Sequence, residues 1–322
     1  MRGCCFFILF FSAVVLHLAA QEIDNATSYK NINSDTYIRL SVDNDYFAGR
    51  DEQYTEGINV ELCSPSLKKN PLVWLLINPR YSRTRYGLGL EQAGYTPYLL
   101  DNHEMEINDR PFAATLFLKT FLLATDTLRK QRFATIFSIG ILGPAAQGQE
   151  IQDGVHKILG DVVPPGWQYQ IRNDVILNYQ VDYEKQLLAY SNAFSFDING
   201  SARAGTLNDK AGVGITVMAG YFESPYRGQH QGTGKFHIYA YDRPEIDAIG
   251  YDATLEGGLF DHGSPYTIPA SNISRAVLAN RAGCVVSYGS VILEFFEYNS
   301  TRQFSTGPAN KWGGLQLAVT LK

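Results

Sequence analysis

Residues 175–184, VILNYQVDYE, decide the fold of this chain. Apolar or aromatic side chains occupy the odd positions, and polar or charged side chains occupy the even positions from Asn178 onward; Ile176 is the exception. Alternation with a period of two is typical of a β-strand that has one apolar and one polar face. This stretch therefore predicts a strand whose polar face needs a polar environment.

The same alternation recurs along the chain, for example at 194–199 and 315–321. Marking every such run predicts about twelve strands, an even number of the kind that transmembrane barrels have. The predicted strands are 37–42, 56–63, 85–92, 112–125, 131–141, 173–188, 192–203, 211–221, 235–251, 274–286, 291–298 and 312–321. Pro244 interrupts the ninth and leaves it the least defined. Charges on the inner faces favour a barrel with a polar interior over a soluble sandwich with a dry core.

The first twenty residues have the layout of a secretory signal peptide. An apolar run from Cys4 to Leu18 follows Arg2 and ends at Ala19 and Ala20, which favours cleavage over the alternative of a membrane anchor. No later run reaches the roughly 18 apolar residues that a helical span needs. We therefore expect a signal peptide at 1–20 and a single all-β domain at 21–322, an antiparallel transmembrane β-barrel in the outer membrane.

Composition excludes one class of partner and leaves a cysteine question open. The formal net charge is −5 and no basic block occurs, so we expect no binding to nucleic acid. Cys63 and Cys284 remain after cleavage and could pair, but two cysteines alone do not decide this. We expect a monomer.

Strand order predicts which connections share a rim. With a periplasmic amino terminus, the connections 46–55, 93–111 and 142–172 lie together at the extracellular rim. The segment 64–84 is long for a periplasmic turn and contains PLVWLLINP, which we interpret as a small helix at the inner interface.

The third outer loop contains the sequence GPAAQGQEIQDGVHKILGDVVPPGW at 143–167. Ile151, Val155, Ile158 and Leu159 share one face at helical spacing, so this loop should carry a short extracellular amphipathic helix that bears His156.

Polar residues from all three loops should converge at this rim. Asn44 continues the lipid-facing phase of Ile38, Leu40 and Val42, and a polar group facing lipid needs a polar partner. The helix with His156, packed on the outside of the wall, would supply that partner. The candidate residues are Asn44, Asp45 and Thr55; Asp109 and Arg110; and Glu150, Gln152, His156 and Asp161.

Each candidate also has a simpler interpretation. Asp-Asn-Asp before a loop is common turn chemistry, a helical histidine is often a satisfied surface residue, and Asp109 with Arg110 could be a rim ion pair. Glu150 near the start of the helix would suit its dipole. No GxSxG or HExxH pattern occurs. The remaining chemistry is a water-activating histidine beside an oxygen-rich cation site.

Five motifs resemble the outer-membrane lipid A 3′-O-deacylases, over essentially the whole mature chain. They are SVDNDYF at 41–47, QYTEGI at 53–58, NDRPF at 108–112, GPAAQGQEIQDGVHKILGD at 143–161 and PPGWQ at 164–168. The resemblance implies a twelve-stranded barrel that uses calcium (Ca²⁺) to remove a 3′-linked acyl chain from lipid A in the outer leaflet.

The resemblance also implies residue roles. His156 would be the general base, and Asn44, Asp45 and Thr55 would complete the catalytic set. Asp45 is the first expected calcium ligand. The family's functional glutamate, six residues after the histidine, falls here on Val162, so Asp161 is the expected substitute. Support or substrate contact is expected from Glu150, Gln152, Asp109 and Arg110.

Two alternatives remain open from the sequence. One is a barrel esterase that acts on phospholipids instead of lipid A. The other is a porin or adhesive barrel that has the fold without activity, which the substitution at Val162 makes plausible.

Overall fold

The computed structural model describes residues 32, 34–45, 54–98, 103–159, 163–226 and 236–321. Within them, twelve strands form one closed antiparallel barrel. The strands are β1 (Tyr37–Asn44), β2 (Tyr54–Cys63), β3 (Arg83–Tyr95), β4 (Ala113–Asp126), β5 (Gln131–Leu142), β6 (Asp174–Tyr190), β7 (Phe194–Gly205), β8 (Asn208–Tyr221), β9 (Phe236–Asp252), β10 (Ala276–Tyr288), β11 (Val291–Ser300) and β12 (Asn310–Thr320). The predicted fold class and strand number are confirmed; the signal peptide at 1–20 lies outside the described residues.

Each strand pairs with the next in sequence, and β1 pairs with β12 to close the barrel. This closure satisfies backbone groups that an open sheet would leave at its edges. We call the end that holds the connections after odd-numbered strands the upper rim, and the opposite end the lower rim. The described helices are α1 (Gly148–Leu159), α2 (Ala253–Glu256) and the 3₁₀ helices Pro65–Lys69, Pro71–Leu75, Pro144–Ala146, Pro165–Tyr169 and Ala270–Asn272.

Pro244 does not interrupt β9. Its position pairs with Asn280 of β10, whereas on the β8 side the recorded pairing passes from Gly214 directly to Val217. Proline lacks a backbone N–H, so it disturbs the ladder on one side and leaves the other intact. The strand therefore spans 17 residues across Pro244, shifted by one residue from the predicted 235–251.

Buried ion pairs line the lumen, and each joins two neighbouring strands. Lys119 Nζ lies 2.6 Å from Glu91, and Arg281 lies 3.2 Å from Glu294. Arg39 pairs with Glu61 and Arg132 with Glu184 in the same way. These pairs neutralise buried charges on the polar inner face of the wall.

Loops narrow both ends of the lumen. At the lower rim, the Tyr226 hydroxyl donates to Glu184 at 3.1 Å. Phe222 packs on Tyr239 with ring centroids 5.4 Å apart. At the upper rim, Arg110 and α2 enter the lumen from their loops, as described below.

The small helix predicted in the long lower-rim connection is present, and a second small helix precedes it. Two 3₁₀ helices, Pro65–Lys69 and Pro71–Leu75, fold back onto the outer wall. Leu76 packs against Tyr86 and Leu122 there, and the Ile77 backbone N–H donates to the Tyr179 hydroxyl at 3.1 Å. The two prolines, each at the start of a helix, divide the segment into two single turns.

The two cysteines of the described chain are free thiols. Cys63 is buried on the lumen side of β2, whereas Cys284 is exposed on the outer face of β10. Because the side chains lie on opposite faces of the wall, they do not form the disulfide that the sequence left open.

No helix among the described residues has the length and apolarity needed to cross a bilayer.

Candidate active site outside the barrel wall

Helix α1 begins where the third upper loop makes a left-handed turn at Gln147, whose φ is +59°. The Gln147 carbonyl accepts a hydrogen bond from the Ile151 N–H at 3.2 Å. Glu150 lies in the first turn, and His156 and Lys157 lie in the last. This distribution of charge suits the helix dipole. The predicted helix is therefore present, and it carries His156 in its last turn.

One side of α1 packs against the outside of β3 and β4. Gly148, Gln152 and His156 lie on this side because they are spaced by four residues. All three are buried, with His156 only 7% exposed. Gly148 fits closely over Ala114 of β4: a Cβ on Gly148 would lie 2.5 Å from the Ala114 Cβ. The absence of a side chain at 148 lets the helix approach the wall.

Trp167 also fixes the position of α1, through contacts of its side chain with Gln152 and Phe112. Its indole Nε1–H donates to Gln152 Oε1 at 2.6 Å. Its ring packs on Phe112 with centroids 5.1 Å apart. Phe112, Ala114, Ala146 and Trp167 form a buried cluster on the outside of the wall. Gln152, expected only as a supporting residue, thus connects α1 to this cluster.

The apolar face of α1 points away from the wall. Val155 is 39% exposed and Ile151 is partly exposed; the side chains of Ile158 and Leu159 lie outside the described part. The helix therefore turns its histidine side toward protein and its apolar side outward. This arrangement is the one that an interfacial amphipathic helix adopts at a lipid surface.

Asn44 lies at the upper end of β1 on the outer face, as its parity predicts. Ile38 and Leu40 of the same phase are exposed, while Asp43 faces the lumen and is buried. Asp45 follows the strand directly and is buried. The β1 residues of the predicted site therefore lie at the upper rim, the same rim as α1.

Thr55 lies at an irregularity in β2. Tyr54 pairs with Tyr95 and Glu56 pairs with Gly94, so Thr55 is the extra residue of a β-bulge. Bulges re-aim side chains and often lie next to active sites. The Thr55 side chain is outside the described part of the chain.

The sequence profile of the family described as "Outer membrane protein LpxR" matches residues 5–321. The chain belongs to this family. Family membership makes it an outer-membrane barrel of the lipid A deacylase class.

A solved structure supports the LpxR fold. "LpxR from Salmonella typhimurium" is 21% identical in sequence, with a TM-score of 0.72, over 88% of this chain and 100% of that one. The β domain of the Bordetella autotransporter BrkA is 9% identical, with a TM-score of 0.46, over 90% and 100% of the two chains. The comparison with curated protein sequences returned no match.

Asp109 and Arg110 do not pair primarily with each other in this LpxR-family barrel. Asp109 accepts hydrogen bonds from the backbone N–H of Tyr98 at 2.7 Å and of Arg110 at 2.6 Å. Burial raises the pKa of the Asp109 carboxyl, and these two backbone donors oppose the rise. Asp109 therefore organises the second upper loop.

Arg110 enters the upper end of the lumen. It donates to Gln303 and, at 2.6 Å, to the Thr254 hydroxyl, and its guanidinium lies 4.5 Å from the ring centre of Tyr95. Burial lowers the pKa of the guanidinium. These contacts make Arg110 a structural tie between three loops, on the opposite side of the wall from His156.

Sequence reasoning missed two polar residues on the outer face, Glu56 and Gln92. Both are buried although they lie in the phase that faces outward. Glu56 Oε1 and both amide atoms of Gln92 are enclosed and have no hydrogen-bond partner among the described residues. The parity argument that identified Asn44 would have found them too.

The residues expected to form the metal site lie only partly within the described chain. Among the described residues, no three His, Cys, Asp or Glu side chains come together as a metal site, and Asp161 and Val162 lie outside that part. Glu150 is exposed, and Asp153 has one enclosed carboxylate oxygen without a partner. The oxygen donors at this rim, from Asn44, Asp45 and the enclosed Glu56 carboxylate, fit a hard cation such as calcium in their chemistry.

Proposed function

We propose that this protein hydrolyses the 3′-linked acyl ester of lipid A in the outer leaflet, in a calcium-dependent reaction with His156 as the general base. One observation carries the proposal: His156 is buried on the side of α1 that packs against the outside of the barrel. A histidine there lies on the lipid side of the wall, where a lipid substrate can approach, and not in the lumen.

His156, in its neutral form, would take a proton from water at a ring nitrogen while the water oxygen attacks the ester carbonyl. Gln152 and Trp167 would hold the helix so that the imidazole keeps its position during this step. Asp45 and Asp161 would hold calcium, and Asn44 and Thr55 would complete the catalytic set. Calcium, when bound, would polarise the ester carbonyl and stabilise the developing oxyanion.

The exposed apolar face of α1 supports a lipid substrate. Val155 and Ile151 would lie among acyl chains while the opposite side of the helix keeps His156 against the wall. The lumen-facing side chains of Glu61 and Lys119 are almost fully buried, which speaks against an open porin channel.

The test is mass spectrometry of lipid A and phospholipids from cells that express the wild-type protein or His156→Ala. We expect lipid A that lacks one 3′-linked acyl chain in wild-type cells only, with phospholipids intact in both. Equal insertion of the two proteins is the control. Identical lipid A profiles would refute the general-base assignment, and loss of phospholipid acyl chains would favour the phospholipase alternative.

A further inference from the structure

Glu56 has an unusual position for a carboxylate in a membrane barrel. It shares the outward phase of β2 with Val60, yet Val60 is 48% exposed and Glu56 is only 6% exposed. Ionisable groups on the lipid side of a barrel wall are unfavourable. Retaining a carboxylate at this position, and enclosing it, therefore indicates a specific partner.

The register places Glu56 in the outer row of the candidate site. Asp43 is paired with Gly57, so Asn44 and Glu56 are the next neighbours across β1 and β2. On its other side Glu56 faces Gly94 of β3. Its side chain lies over Gly94: a Cβ at 94 would be 3.4 Å from Glu56 Cγ and 3.6 Å from Oε1. Glu56 therefore lies flat on the outside of the wall, between Asn44 and the strand that α1 contacts.

Nothing in the described chain neutralises this carboxylate. Glu56 Oε1 is enclosed without a hydrogen-bond donor, and no described Lys or Arg lies within ion-pair distance of Glu56. Enclosing an ionised carboxylate is costly unless a cation or several donors accompany it. Gln92, a diagonal neighbour on the same face, adds an enclosed amide oxygen without a partner.

We propose that Glu56 is an oxygen ligand of the calcium ion at this site and supplies a carboxylate in addition to that of Asp45. This inference rests on the proposed function only in taking calcium as the cation. Calcium binds six to eight oxygen ligands, and its affinity depends on how many of them are charged. A carboxylate beside Asn44 adds negative charge to the site without a change in the third loop.

The test measures calcium affinity directly, by isothermal titration of the full-length barrel in detergent with calcium chloride. The variant is Glu56→Gln, which keeps the shape of the side chain and removes its charge. The matched control is Glu297→Gln on β11, an outward and partly exposed carboxylate that pairs with Lys311 at 3.0 Å. Folding of each protein is checked by its heat-dependent mobility on gels. Glu56→Asp is measured too. It keeps the negative charge on a shorter side chain and should retain part of the calcium affinity, so it provides a second test if Glu56→Gln folds poorly.

We expect Glu56→Gln to weaken calcium binding by roughly 10- to 100-fold, with Glu297→Gln unchanged. Wild-type affinity in Glu56→Gln, equal weakening in both variants, or no calcium binding by the wild type would each overturn the inference. The readout is separate from catalysis. A wild-type protein that binds calcium through Glu56 but leaves lipid A intact would refute the proposed function and keep this inference.

Discussion

Trp167 donates its indole N–H to Gln152 at 2.6 Å, and both residues are buried. The bond joins the 3₁₀ helix at the end of the third loop to α1, one turn before His156. This hydrogen bond lies on the outside of the barrel, where the strands contact only one side of α1. The position of His156 therefore depends on a small set of contacts that substitutions can test one by one.

Trp167→Phe should loosen α1 without unfolding the barrel. It removes the donor and leaves the Gln152 oxygen buried, which costs about 1–3 kcal/mol. Hydrogen exchange of residues 148–159 should therefore become faster, while exchange in β9 and β10 stays unchanged. Trp74→Phe is the control, because Trp74 is exposed on the lower-rim segment. Equal exchange of α1 in both variants would contradict the docking role.

The two glycines of α1 allow the same substitution in two environments. A Cβ at Gly148 would lie 2.5 Å from Ala114 and 2.8 Å from Trp167, whereas a Cβ at Gly154 meets nothing within 4 Å. Gly148→Ala should displace the helix and lower deacylation by about tenfold or more. Gly154→Ala should keep activity and stabilise the helix by about 0.5–1 kcal/mol. Turnover of purified lipid A by the two variants checks this, and equal turnover would exclude close packing at Gly148.

Lys119→Met should destabilise the barrel more than the double substitution with Glu91→Gln. The single change leaves Glu91 buried without the ammonium group that lies 2.6 Å away. Breaking such a pair costs about 3–5 kcal/mol, whereas removing both charges costs less. Urea unfolding in lipid vesicles gives the free energy of unfolding of Lys119→Met, Glu91→Gln and the double variant. Strictly additive losses would show that the two side chains do not act as a pair.

Calcium removal should abolish deacylation reversibly. A chelator should stop release of the acyl chain. Added calcium should restore it, because calcium would again polarise the ester carbonyl. Asp45→Asn and Asp161→Asn should each raise the calcium concentration needed for half-maximal activity. An unchanged calcium requirement in Asp161→Asn would remove Asp161 from the set of proposed calcium ligands.

The wild-type barrel should not conduct ions when reconstituted in a planar bilayer. Its lumen-facing side chains, such as Glu61 and Lys119, are almost fully buried, and Arg110 ties the upper loops together through Thr254 and Gln303. Stable open-channel currents from purified protein would support the porin alternative instead. A conductance that appears only in Arg110→Ala would identify this residue as part of the closure.

The alternation of apolar and polar residues along the sequence predicted much of this structure. Side-chain parity depends only on neighbouring residues, so alternation was sufficient for twelve strands and for the outward position of Asn44. The strand predicted across Pro244 is present, because pairing with β10 compensates for the lost N–H on the β8 side. The small helix predicted in PLVWLLINP is present at Pro71–Leu75, whereas the separate turn at Pro65–Lys69 was not predicted.

The sequence by itself determined the strand count, the outward phase of the first strand and the helix that carries His156. Only the tertiary structure decided that Arg110 enters the lumen, that the histidine side of α1 meets the wall, and that Glu56 is enclosed on the lipid side. These facts depend on contacts between residues far apart in the chain. A local pattern specifies which face a side chain occupies, but burial and neutralisation depend on what folds against that face.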